Sequence, residues 1–169
     1  MTVKDLAGLY DYGYWANRKL FAVLVQLTPE EFTRPVAGSF GSIRNTMVHV
    51  VSVEAGWLER SGGPKRGPRL KPDDFPTVET LLQAGDRVEA HVRAFLGSLQ
   101  DEDLARNAEY VNDRGEKRSM LVGELMQHAA NHGVHHRGQV ALLLRVLGHA
   151  PGDFDALFYH ADKRGVPAW

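Results

Sequence analysis

Between Ser119 and Pro151 the chain reads as one long amphipathic helix, and it is the feature that most restricts the fold. The helix is expected over Met120 to about Leu147, with Ser119 as its N-cap, Gly148 as its stop and Pro151-Gly152 as the break beyond it. Inside it lies His128-Ala-Ala-Asn-His132-Gly-Val-His135-His136, which carries four of the eight histidines in the protein. A helix of this length with a one-sided apolar stripe has to be buried against other helices or a sheet.

The remainder of the chain supplies helices. Thr2 and Asp5 form a capping box before a first helix of roughly 24 residues, whose stripe runs Val3, Leu6, Tyr10, Gly13, Asn17, Leu20, Leu24, Leu27 before Thr28-Pro29-Glu30 ends it. Two positions interrupt the stripe: Gly13 leaves a gap, and Asn17 puts an amide where a core residue is expected. Ser42 caps a second helix from Ile43 to about Arg60, stopped by Ser61-Gly62-Gly63-Pro64. Its apolar face holds Ile43, Met47, Val50, Val53 and Trp57; Glu54 falls inside that sector and His49 on its edge. Residues 61–76, with Lys65, Arg66, Arg69 and Lys71, read as a solvated connection. Thr77 caps a third helix with Val78, Leu81, Gly85, Val88, Val92, Phe95 and Leu99 as its stripe and His91 off it, facing solvent.

From Asp101 the helical pattern weakens. Glu109 to Arg118 suggests a short hairpin around Asp113-Arg114-Gly115. After the long fourth helix, Asp153 or its neighbours start a short terminal helix through about His160. Four long amphipathic helices without a strong sheet predict an all-α four-helix bundle, and 169 residues suit a single domain, 1–169.

Composition excludes several functions. Twenty Lys+Arg against twenty-one Asp+Glu give no broad pull toward nucleic acid or anionic membrane. Zero cysteine removes disulfides, thiolate ligands and a cysteine nucleophile, and fits a reducing cytoplasm. The longest apolar runs are too short to span a bilayer, and the start lacks the apolar core of a secretion signal.

The histidines are not equivalent. At about 100° per residue with His132 at zero, Leu121, Leu125, Ala129, Val140, Leu143 and Leu147 fall between about −20° and +80°. His132 and His136 (about +40°) lie within that stripe, whereas His128 and His135 flank it at about −40° and −60°. Arg137 falls well off it, which suggests a salt bridge or interface role. Two buried imidazoles on adjacent turns repel if charged and need two acceptors if neutral; a divalent cation resolves both problems, with a structural or surface cluster as the alternative. Ala129 and Gly133 stand where zincin proteases need a glutamate, and the Glu-x-x-His pairs of di-iron bundles are missing. A further ligand has to come from another helix; His49, Glu54, His91 and His160 are the candidates, and periodicity does not choose among them.

The motifs resemble those of the DinB family, also called YfiT-like, over nearly the whole chain. They are Trp15-Ala16-Asn17; Ser42-Ile43 with His49, Glu54 and Trp57; and His135-His136-Arg137-Gly138-Gln139 followed by Leu147-Gly148-His149-Ala150-Pro151 and Asp153. The last is the specific one. The resemblance implies a four-helix bundle with a short C-terminal helix and a divalent metal held by His49, His132 and His136. It implies zinc or nickel first, with iron or manganese next, a small-molecule substrate, use of a low-molecular-weight thiol in S-transfer or isomerisation, and a homodimer. Gly133 stands where the family carries bulkier residues, which implies a wider pocket. Three imidazoles leave a coordination position open, the pattern of a catalytic site, so thiol S-transfer and metal-hydroxide hydrolysis are both expected chemistries, against a non-catalytic metal-binding or stress-response role. Glu54 is the expected catalytic carboxylate, with a helix-crossing ion pair as its alternative.

Overall fold

The structure is a computed structural model and describes residues 1–168; Trp169, where the expected single domain ends, lies outside them. Helix α1 spans Val3–Leu24 and begins at the expected capping box, with Asp5 N–H donating to Thr2 Oγ1 and Thr2 N–H to Asp5 Oδ2. Thr28-Pro29-Glu30 ends the helix as expected, and it also opens another. Thr28 caps a further short helix, α2 (Pro29–Thr33), because Glu31 completes a second capping box and Pro29 suits the first helical position. Phe32 of α2 is fully buried.

Helix α3 spans Ile43–Arg60 from its Ser42 cap and α4 spans Val78–Ser98 from Thr77, both as expected. The hairpin is present as β1 (Asn107–Val111) and β2 (Lys117–Leu121), antiparallel with Glu109 opposite Ser119. That pairing takes Ser119 and Met120 out of the long helix. Helix α5 therefore starts later than expected, at Val122, with Leu121 at the cap position and Glu124 accepting from Leu121 N–H; it runs to Val146. Helix α6 covers Ala156–Arg164, beginning later and ending later than expected.

The four long helices form a ring in which α1 packs on α5, α5 on α3, α3 on α4 and α4 back on α1. Leu6 and Leu20 of α1, Met47 of α3, Leu81 and Val92 of α4, and Met126, Val140 and Leu144 of α5 meet at its centre, all essentially inaccessible. The fold is all-α apart from the small hairpin. No helix among the described residues is long and apolar enough to cross a membrane.

Because α5 has a neighbour on each side, its buried arc is wider than one stripe. It runs from Leu125 and Leu143, at about +20°, through Val140, at about +80°, to Gly123 and Ala141, at about +180° from His132. The arc is centred near Gly133, so His132 and His136 occupy its edge and not its middle. Arg137, at about +140°, is well inside it.

Candidate metal centre

That edge faces α3. His49 on α3 and His132 on α5 approach Nε2 to Nε2 at 3.1 Å, and His132 and His136 do so at 3.0 Å. One ligand nitrogen from each of the three rings lies within 4.8 Å of the others. Three nitrogens bound to zinc at about 2.0–2.1 Å in tetrahedral array would sit about 3.3 Å apart, so the cluster matches the spacing a cation demands. A hydrogen-bonded cluster explains it less well, because one imidazole nitrogen cannot be partner to two others with a single proton.

The rings are held neutral. Burial pushes the His49 imidazole down to about 4, with His136 and Arg69 adding to it, and pushes His132 down to about 3, with His136 and His49 the next contributors. His136 is also lowered by burial, against the raising effect of Gln139. His136 Nδ1 donates to Gln139 Oε1 at 2.6 Å, which places the proton on Nδ1 and leaves the Nε2 lone pair facing the cluster. The same oxygen accepts from Ser39 Oγ at 2.8 Å, and Ser39 contacts Thr46 Oγ1 of α3 at 2.9 Å. Gln139, which the motif included without a role, thus ties a cluster ring to both helices through the loop between α2 and α3.

That loop also delivers Phe40, whose ring stacks on His49 with centroids 3.9 Å apart. Ser39 beside it takes a left-handed conformation (φ 48°) between Gly38 and Gly41, both at positive φ. Phe40 escaped the sequence reading; a large aromatic flanked by turn residues was its only signal.

The other histidines stay apart. His128 packs edge-on against Trp57, with its ring 6.0 Å from His132, and His135 Nε2 meets Gln139 Nε2 at 3.1 Å. His91 and His160 are exposed and do not join the cluster. Of the four candidates for a further ligand, the fold brings only His49 within reach.

Behind His132, between α1, α3 and α5, lies a polar interior around a cavity of about 20 Å³, room for a single water. Tyr14 Oη donates to Glu54 Oε1 at 2.8 Å, and Arg137 Nη1 donates to Asn17 Oδ1 at 3.1 Å. The Glu54 residue keeps partial exposure, yet its carboxyl end is enclosed. Burial lifts that carboxyl to about 7, against the opposing effects of Tyr14 and Arg137. Burial likewise lowers the Arg137 guanidinium from its ordinary value and holds the Tyr14 hydroxyl well above its own.

This interior corrects two sequence expectations. Arg137 is not a surface ion-pair or interface residue: it is 3% exposed and stands over the Tyr12 ring at 5.7 Å. The gap at Gly13 and the small residue at Gly133 are both used by it. A Cβ at Gly133 would sit 3.0 Å from Arg137 Nη1 and one at Gly13 3.8 Å from it. Gly133 therefore houses a guanidinium and does not widen an open pocket. Tyr14 was missed because the expected stripe passed through Gly13 and Asn17 beside it; its spacing of four from Tyr10 was the available signal.

The fold and these residues define a helical-bundle protein with a three-histidine group that could hold a metal ion, backed by a buried carboxyl. The sequence model of the DinB family matches residues 1–165, and the chain belongs to that family. It is 28% identical over 156 residues to Protein DinB of Bacillus subtilis (strain 168), covering 89% of this chain and 91% of the relative. Uncharacterized protein YizA of the same organism is 23% identical over 143 residues, covering 84% and 87%. Among solved structures, a DinB-like protein from Bacillus cereus ATCC 10987 superposes with a TM-score of 0.75 at 21% identity, over 90% of this chain and 97% of that one.

Proposed function

We propose that this protein binds one divalent metal ion, zinc or nickel, through His49, His132 and His136, and uses it to activate a small thiol for transfer to an electrophile. The observation that supports this reading most directly is the convergence of three neutral imidazole nitrogens on one point at the edge of the bundle. An ion held by three neutral ligands keeps its full charge and brings the pKa of a bound thiol or water down toward neutrality.

The surrounding residues have separable roles in this reading. Gln139 fixes the His136 ring, and Phe40 covers one face of His49 and screens it from solvent. Glu54, poised near neutrality, accepts the proton that the nucleophile gives up and returns it to the leaving group. Tyr14 orients that carboxyl through its hydrogen bond. A second reading, hydrolysis by an activated water, draws on the water-sized cavity lined by both Glu54 and His132.

Elemental analysis of untagged protein should find about one zinc or nickel per chain, and no stoichiometric metal sinks both readings. Conjugation of a low-molecular-weight thiol to a chloro-aromatic electrophile should then proceed with wild type and fail with His136→Ala. Ester hydrolysis without thiol dependence selects the second reading, and equal rates in wild type and His136→Ala in both assays leave only metal binding without catalysis.

A further inference from the structure

On another face of α3, away from the three-histidine cluster, a second cavity of about 130 Å³ opens between α3, α4 and the connection that links them. Its charged lining is wholly cationic, made of Lys65, Arg66 and Arg87. Lys65 and Arg66 come from the connection, Arg87 and His91 from successive turns of α4, and no carboxylate is in the wall. Arg66 has Glu59 at 3.6 Å, outside the lining, while Lys65 and Arg87 make no ion pair among the described residues. The floor between these groups is apolar, formed by Ala55, Leu70, Ala84 and Val88.

Two details indicate a built site and not a chance gathering of surface cations. Gly56 lies where a Cβ would come within 2.8 Å of Arg66 Nη1, so the guanidinium rests directly on the backbone of α3. Ser52 lines the cavity and is 3% exposed, yet its hydroxyl has no hydrogen-bond partner among the described residues. Other helical hydroxyls here satisfy themselves locally: Thr46 Oγ1 donates to Ser42 O and Ser61 Oγ to Trp57 O, both at 2.8 Å. Ser52 does not, and a buried hydroxyl left unpaired in a cavity wall is costly unless something in the cavity accepts from it.

We infer that this cavity binds a small organic oxyanion, its charged head between Arg66, Arg87 and Lys65 with Ser52 donating to it, and its short apolar body on the Ala84–Val88 floor. Guanidinium groups suit carboxylate and phosphate heads alike, since both offer paired oxygens. The site shares no lining residue with the cavity behind His132 and does not depend on the metal.

Isothermal titration with hexanoate, phenyl phosphate and inorganic phosphate tests this on the intact protein. Saturable binding of hexanoate or of phenyl phosphate is expected, the tighter one naming the head group, with inorganic phosphate at least about tenfold weaker for want of a body. Arg87→Gln, at an exposed position that should not disturb folding, should weaken the tighter ligand about tenfold or more. Ser52→Ala should weaken it severalfold without lowering the melting temperature of the ligand-free protein. Arg114→Gln at the hairpin turn and His132→Ala at the metal cluster should leave it unchanged. Absence of saturable binding by all three probes overturns the inference, as does an affinity that Arg87→Gln leaves intact or that His132→Ala abolishes.

Discussion

His136 and Arg137 are adjacent in sequence, and both are buried, yet they belong to opposite kinds of site. His136 turns to the edge shared with α3, where the Nε2 atoms of His49, His132 and His136 meet with only one another as partners among the described residues. Arg137 turns to the interior shared with α1, where its Nη1 donates to Asn17 and the Tyr14 phenol donates to Glu54, while Arg137 Nη2 is left without a partner among the described residues. The edge is built to be completed by something from outside, whereas the interior is nearly complete by itself. About 100° of helix rotation separates the two. Tight burial on its own therefore does not mark the metal-binding group; the convergence of three imidazole nitrogens on one point does.

The largest expected effect comes from breaking the edge. His132→Ala should abolish stoichiometric metal, because its Nε2 is the one that contacts both other rings. His128→Ala and His135→Ala should keep the metal. Plasma emission spectrometry on the three purified variants checks this, and metal lost from His128→Ala but kept in His132→Ala would overturn the assignment.

Breaking the interior should cost stability and spare the metal. Arg137→Ala leaves Asn17 without its donor and removes the cation that favours the charged form of Glu54, so about 2–4 kcal/mol should be lost in urea unfolding. Metal content near that of wild type is the accompanying expectation. An intermediate effect is expected at the residue that ties the edge together: Gln139→Ala should weaken metal binding about 10- to 100-fold, read by competition with a chromogenic chelator.

The smallest effect is a pair of opposite pH slopes in the metal-free protein. His49 and His132 titrate lower in the fold than the usual 6.5, so their contribution is present above pH 6.5 and is lost as pH falls toward about 4 and about 3. Glu54 titrates higher in the fold than the usual 4.5, so its contribution is present below pH 4.5 and is lost as pH rises through about 7. Glu54→Gln should therefore flatten the loss of melting temperature between pH 5 and 8 and leave the acid-side loss in place. An unchanged alkaline slope would show that Glu54 is already ionised in the fold.

Much of the edge was legible beforehand because helical periodicity is a local property. Setting His132 and His136 apart from His128 and His135 needed only the 100° step, and the bundle keeps that division. His49 is one of four candidates from the residues, and mainly the family resemblance singles it out. Arg137 falls off the expected stripe because that stripe follows Leu121, Leu125, Ala129, Val140, Leu143 and Leu147 and leaves out Met126, Ala141 and Leu144, which continue the buried face past Arg137. The hairpin was anticipated, but its pairing decided that Ser119 would extend a strand and not cap a helix.

The sequence by itself determined the four long helices, their caps at Thr2, Ser42 and Thr77, and the pairing of two histidines one turn apart, because each rests on contacts within a few residues. Only the tertiary structure decided which distant histidine completes the cluster, that Gly13 and Gly133 make room for Arg137, and that a basic connection and α4 enclose a cavity over Ser52. Those depend on which helix faces which across the bundle, and no local periodicity carries that information.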